Sequence, residues 1–444
     1  MKSFKVLRNI CGSLSKRFIF FGRNSGIHGL KYVFEEKATR LSRLVWLLIL
    51  LIFTGCLYLL LMPLVQRGNA IGFTPDTRYL HWTTTFPGVT VCESYIPKTA
   101  LKKLSENYAV LLESLNYDYK RYISDLIFGR GVCIGSLCLP CGTRIPCDIS
   151  WRNMIENIHK HCDELIVDCR FNGKKISCCE SFRIVDSEYG PCYSFNSLQS
   201  NYFDDAKFIV NRSTGPGVLT FNLLADAQIT IHSTEELSTD ILDKKFKFEI
   251  ITSVENHIDL LFSIIEVDDE SLLQNEDISV RRCRYNHEIP KEPLHNYQVY
   301  SYGACHLAKS TAKAFQQCGC VQPVRDLSYK NIYCNYTGLN CLVTYKALKT
   351  KLDNRDEADA DDCLPSCNES ELNIIHVSKR WVKDQKSGAF VNIQMISLPT
   401  MRLRKNLLRT NLDLVVSVGG MVGLFFSASI LSFAEIFCLI FRSP

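Results

Sequence analysis

The sequence predicts an α+β membrane protein: two transmembrane helices flanking one large, disulfide-rich extracellular domain based on β-strands. Three observations predict it. Two long uncharged runs lie toward the ends of the 444-residue chain, all but Cys11, Cys56 and Cys438 of its 21 cysteines lie between them, and strand-like alternation marks the segments beside both runs.

Residues 1–43 carry ten Lys or Arg against only Glu35 and Glu36, which makes them a cytoplasmic segment by the positive-inside rule. Leu44–Val65 then runs 22 residues without a charge, between Arg40 and Arg43 on one side and Arg67 on the other. At 1.5 Å per residue it reaches about 33 Å, enough to cross a bilayer, so a first span is expected at 44–66. It is too long and starts too far in for a secretory signal, and no small-residue cleavage pattern follows. The second run, Leu414–Ala434, is followed by Glu435 and Ile436–Phe441, giving a second span at 412–441 and a cytoplasmic end at 442–444. Two spans place 67–411 outside. The Arg402, Arg404, Lys405 and Arg409 cluster opposes that orientation, but long translocated domains escape the charge rule.

An even number of cysteines in 67–411 reads as a disulfide framework in an oxidising compartment. Asn211-Arg-Ser, Asn335-Tyr-Thr and Asn368-Glu-Ser are glycosylation sequons, all confined to the same stretch. Spacings such as Cys138-x2-Cys141 and Cys318-x-Cys320 resemble zinc ligands, but no paired His motif accompanies them, and outside the cell disulfides are favoured. Strands are expected at Thr90–Cys92, Val218–Leu223, Gln228–His232 and Ala389–Ile396, helices at Lys102–Leu115 and Ala304–Gln317. Asp353–Asp362 reads as a solvated acidic loop. Nothing in the chain asks for a cofactor, a metal or a nucleic acid.

Gly419, Gly423 and Ser427 recur every fourth residue and so are expected on one helix face, with Glu435 two turns further on. Close helix packing uses such small residues. Packing alone leaves unexplained Asp413 and Glu435, which bracket the segment, because acids at such positions face water or a partner. Small residues and exposed hydroxyls also suit an ion path. Two spans cannot enclose a pore, so several copies must assemble around an axis, and acids at the mouths favour cations.

Motifs spread along the chain carry a resemblance. They are Gly26-Ile-His-Gly-Leu30 before the first span, Phe86-Pro-Gly-Val-Thr-Val-Cys92 after it, Gly190-Pro-Cys-Tyr-Ser-Phe-Asn196, Cys318-Gly-Cys320, Cys363-Leu-Pro-Ser-Cys367, and Gly419-Gly420 through Ser427-Ala-Ser-Ile-Leu-Ser432. In these the chain resembles the degenerin, epithelial sodium channel and acid-sensing channel family, most of all its insect pickpocket branch. The resemblance implies a trimeric, sodium-permeable cation channel of the plasma membrane, usually amiloride-blocked and not voltage-driven, with sensory roles common. The trimer would be of identical or related subunits in lipid. It implies palm, β-ball, finger (about 98–165), thumb (283–367) and knuckle parts. Ser427, Ala428 and Ser429 would break the second span near the selectivity filter, and His28-Gly29 would fold back to line the lower pore or affect gating. Implied disulfides are Cys92–Cys192, Cys283–Cys367, Cys305–Cys363, Cys318–Cys341 and Cys320–Cys334. Cys169 would pair with Cys178 or Cys179, leaving six cysteines for up to three bridges within the finger.

Two departures from the family pattern stand out. Lys309 and Asp361 occupy positions that often hold a further thumb disulfide, and an ion pair there would leave the thumb softer. Val416, or Ser417 if the register shifts by one, falls where a bulky residue favours the open state. Ser427 also stands where glycine is more usual. Rival classes are a trimeric ATP-gated channel, which would need a lysine-rich nucleotide site, and a two-span receptor or adhesion protein, which would tolerate Leu at Gly423. His81, His232, His287 and His306 accompany no nucleophile motif, so an enzyme is not expected.

Overall fold

The computed structural model describes residues 19–66, 71–76, 83–94, 97–109, 113, 117–127, 150–200, 208–269, 271–290, 297–325, 327–352, 363–368, 370–383, 388–407, 411–429, 431–432 and 434–435. Cys133, Cys138, Cys141, Cys147, His81 and residues 353–362 with Asp361 lie outside them. The chain forms two compact units, one of residues up to Phe73, 270–281 and from Lys405 onward, the other of 74–269 and 282–404.

The first unit is helical. A short α1 (Leu30–Phe34) precedes α2 (Arg40–Gln66), which is 27 residues long and contains the expected first span. Among the described residues α2 is the one helix long and apolar enough to cross a membrane, and none of its most apolar stretch is buried inside the chain. Leu44, Leu48, Leu51, Ile52 and Leu59 are all exposed, a surface that suits lipid and not water.

The second unit is built on two sheets. The chain enters along β1 (Ile71–Asp76) and continues through β2 (Thr84–Thr85) and β3 (Gly88–Glu93). Helices α3 (Pro97–Asn107), α4 (Tyr117–Ile127) and α5 (Trp151–Ile158) follow. Next come β4 (Ile166–Phe171), β5 (Lys174–Lys175), β6 (Phe182–Ser187), β7 (Gly190–Phe195) and β8 (Ile209–Val210). Then run β9 (Val218–Leu223), β10 (Ala227–His232), β11 (Lys247–Ile250) and the 13-residue β12 (His257–Asp269). Helices α6 (Tyr302–Cys318) and α7 (Tyr336–Leu352) precede β13 (Glu371–Arg380), β14 (Ala389–Met395) and β15 (Arg402–Leu407). The chain then ends in α8 (Asn411–Phe426).

The larger sheet has the order β1-β15-β12-β14-β9-β4-β5, with β13 also on β12; the smaller is β11-β10-β3-β7-β6. Strict alternation explains why β14 is central: Ala389, Val391, Ile393 and Met395 are fully buried while the residues between them are not. One core unites the sheets, with Val89, Val91, Ile229 and Phe195 from the smaller meeting Phe221, Ile258, Phe262 and Val391 from the larger. Phe86 sits among Phe171, Phe195 and Phe262 in edge-on contacts with centroids 5.3 to 6.2 Å apart, a favoured aromatic geometry.

A second core is helical. It joins Leu104 of α3, Ile123 of α4, and Trp151 and Ile155 of α5 to Tyr336 and Leu339 of α7. The finger and thumb ranges drawn from the sequence thus share a core. Of the helix expected at Lys102–Leu115, Pro97–Asn107 is described as helical, and residues 110–112 and 114–116 lie outside the described residues.

Among the described residues seven disulfides stitch this unit: Cys92–Cys192, Cys162–Cys179, Cys169–Cys178, Cys283–Cys367, Cys305–Cys363, Cys318–Cys341 and Cys320–Cys334. The adjacent Cys178 and Cys179 part company, because the four-residue helical turn they begin sends one side chain to β4 and the other to Cys162. The expectation that every leftover bridge lies within the finger is therefore corrected: Cys162 reaches outside 98–165, to Cys179.

Candidate functional site

The second apolar run is not one continuous helix. Helix α8 stops at Phe426, residues 427–429 are non-helical, and helical turns recur at 431–432 and 434–435. Ser427 has φ 50, left-handed for an L-residue, which costs roughly 1 kcal/mol where glycine would cost little. Its N–H still donates to the Gly423 carbonyl at 2.8 Å, the last bond of the helix. Ser429 then starts the next turn: its N–H donates to Ser432 Oγ at 3.1 Å, and its carbonyl accepts from the Ser432 N–H at 2.9 Å. One expectation falls with the break. Ser427 and Glu435 do not continue the face of Gly419 and Gly423, because the helix that would carry them on ends at Phe426.

A helix end leaves carbonyls without partners. Here the Phe426 carbonyl accepts from the backbone N–H of His28 at 3.1 Å, so the His28-Gly29 segment lies against the break. Glu435 lies beside the same segment, its Oε2 accepting from the Gly26 N–H at 3.4 Å. Gly29 has φ 88, and a Cβ there would stand 3.1 Å from Leu50 of α2, so the turn requires glycine. The His28 ring itself is exposed.

Residues not singled out by sequence reading hold this segment. Tyr32 stacks on Trp46 at 4.6 Å between centroids. Arg23 donates to Glu36 at 2.6 Å and to the Phe34 carbonyl at 3.0 Å, and Arg43 donates to the Glu35 carbonyl at 2.8 Å. Tyr32 follows the glycines at 26 and 29 and Trp46 lies in a Leu-rich run, and only the charges of Arg23, Glu35, Glu36 and Arg43 could have signalled the polar contacts.

Helix α8 packs on α2 through Phe425, 5.6 Å from Phe53 between centroids. At 100° per residue Gly423 points about 200° away from Phe425. Gly419 and Gly420 share that far side, with exposed Val416, Leu412 and Leu424. A Cβ added at Gly419 or Gly420 would meet nothing within 4 Å, and at Gly423 only the Ala428 carbonyl at 3.8 Å. Among the described residues, these glycines have no close packing partner. Asp413 lies in the first turn of α8, where an acid complements the helix dipole, and Ser417 is half-buried beside exposed Val416.

The sequons lie elsewhere in the chain. Asn211 and Asn335 use Oδ1 to accept backbone N–H groups, from Ser213 at 2.9 Å and Gly338 at 2.9 Å, and Asn368 is exposed beside Cys367. No group of three or more candidate metal ligands occurs among the described residues.

A family model described as amiloride-sensitive sodium channel matches residues 21–439. The chain is 23% identical to sodium channel protein Nach of Drosophila melanogaster, over 96% of this chain and 87% of that one. It is 19% identical to pickpocket protein 28 of the same fly, over 97% and 79%. Acid-sensing ion channel 1 of Gallus gallus is 28% identical over 40% of this chain and 34% of its own. With its disulfide-rich β-domain, its long apolar helix and a family match over residues 21–439, the chain belongs to the amiloride-sensitive sodium channel family, a family of ion channels and not of enzymes.

Proposed function

We propose that the chain is a subunit of a trimeric, sodium-permeable, non-voltage-gated cation channel of the plasma membrane, amiloride-sensitive, with both termini cytoplasmic and α8 lining the pore. The observation that carries this reading is the unpacked glycine face. Each glycine costs a helix about 1 kcal/mol relative to alanine, and among the described residues a Cβ at Gly419 or Gly420 would meet nothing that would offset it. Around a threefold axis the same positions let neighbouring helices approach and leave room for an ion.

The break supports the same reading. Ser427, Ala428 and Ser429 interrupt the helix where its carbonyls and two hydroxyls can take the place of water around sodium. Irregular backbone at membrane depth is tolerated where it lines a wet cavity. His28 and Gly29 would border the lower pore, with Glu435 beside them, and Asp413 would draw cations to the outer mouth. Val416, exposed on the glycine side, would stand at the gate. In this topology the disulfides and the sequons Asn211, Asn335 and Asn368 all lie outside the cell. A sensory role rests on the resemblance alone.

Recording whole-cell current from the chain, alone and co-expressed with related subunits, tests this. The expected result is an inward current blocked by amiloride and lost when an impermeant cation replaces sodium. Gly420→Leu should abolish it while surface protein persists. Surface-expressed protein that carries no sodium current in any combination contradicts the reading, and a two-span receptor would tolerate the same substitution without loss.

A further inference from the structure

The strands on which the chain passes between its two units carry a pair of half-buried ion pairs. Residues 67–70 connect α2 to β1, and 408–410 connect β15 to α8. β15 lies between β1 and β12 in the larger sheet. Arg402 and Arg404, two apart on β15, point to the same side of the sheet. Arg404 reaches Asp76 of β1 with Nη2–Oδ2 at 3.1 Å, and Arg402 reaches Glu266 of β12, its Nη2 and Nε lying 2.7 and 2.8 Å from one oxygen. The acceptors are the more enclosed partners, with the Asp76 side chain 13% exposed and Glu266 10%. Enclosed carboxylates stripped of their cation would be costly, whereas fully exposed pairs contribute little.

We propose that Arg402 and Arg404 are positioning residues that clamp β1, β15 and β12 into one piece, so that movement of the extracellular scaffold reaches both membrane helices together. The proposal rests on the channel reading above. Arg404 joins the strand leaving α2 to the strand entering α8, and Arg402 fastens the latter to the longest strand of the sheet. The basic cluster that opposes the charge rule of membrane topology thus has a mechanical reason to be where it is. Without the Arg404–Asp76 pair β1 and β15 would be joined by their backbone ladder alone, and opening would lose efficiency even in a folded channel.

The test records sodium current per surface-labelled channel in the full-length protein. Arg404→Glu or Asp76→Arg alone should lower it by about fivefold or more, the lower range of coupling between sites. The exchange, Asp76→Arg with Arg404→Glu, should recover at least half of it, and Arg402 with Glu266 should behave alike. A structural role would instead move surface amount and leave current per channel unchanged. Single reversals with wild-type current per channel, or an exchange that rescues surface amount alone, would overturn the clamp. If the wild-type chain conducts nothing, the pore reading fails first, and thiol labelling then decides. Asp76→Cys should react faster with a water-soluble thiol reagent when Arg404 is present than in Arg404→Ala, because the adjacent guanidinium favours the thiolate; equal rates would overturn the proposal.

Discussion

The β-sheet unit closes on itself, whereas the helical unit does not. In the former, alternation buries whole strand faces, one core serves both sheets, and seven disulfides span the described residues. In the latter, Gly419 and Gly420 face empty space, Cys56 is a free exposed thiol on α2, and Ser427 holds a left-handed conformation. The difference teaches where to look for further contacts: a Cβ on the glycine face of α8 would meet no described atom nearer than the Ala428 carbonyl.

The largest effect that sharpens this contrast is covalent. Cys92–Cys192 closes a loop of sequence separation 100 and ties β3 to β7, so Cys192→Ser should cost about 2–5 kcal/mol. The expected outcome is loss of surface protein, measured by surface biotinylation. Cys56→Ser should leave surface protein and current unchanged. If both substitutions behave alike, the contrast between the units is wrong.

Acid should act next, on the sheet unit. His159 is buried beside Glu93, Lys103 and Arg152, and its burial pushes its pKa from 6.5 down to about 4. His232 is enclosed against Thr90 and the Ser233 carbonyl, and burial likewise brings it to about 4. The folded state therefore binds these protons less readily than the unfolded chain does. The stability this confers is complete above pH 6.5 and is lost as pH falls toward 4, on the order of 3 kcal/mol for each histidine. Thermal melting of the purified full-length protein should show it, and His232→Asn should flatten the slope in that window. An unchanged slope in both His232→Asn and His159→Gln would refute the assignment.

The sequence made much of this legible. Alternation located β9, β10 and β14 to within a residue or two, because in each the apolar residues recur at every second position and face the core. Charge-free length located α2. The break after Phe426 was invisible to hydropathy, since Ser427, Ala428 and Ser429 sit in an apolar run. It came from resemblance, and local physics adds only that three small residues compete poorly for helix. The partition of Cys178 and Cys179 was likewise hidden, because adjacent cysteines are distinguished only by the turn they occupy. Glu236 left no signal at all. It accepts from Gly303 N–H at 3.0 Å and Ser301 Oγ at 2.9 Å, fixing the start of α6, and a Cβ at Gly303 would collide with it.

The smallest effect probes the helical unit. Ser427→Gly should relieve the left-handed strain and stabilise the solubilised assembly by about 1 kcal/mol. It should leave surface protein intact while altering the sodium-to-potassium permeability ratio, read from the reversal potential. A destabilised assembly would mean that the Ser427 side chain makes contacts worth more than its strain.

The most direct measurement concerns water at the break. With Cys56 replaced by Ser, single cysteines at Ser427 and Ser429 should react with a water-soluble methanethiosulfonate reagent and block current as they do so, and amiloride should slow the reaction. Cysteines that stay unmodified in assembled, conducting channels would contradict a pore lined by this segment.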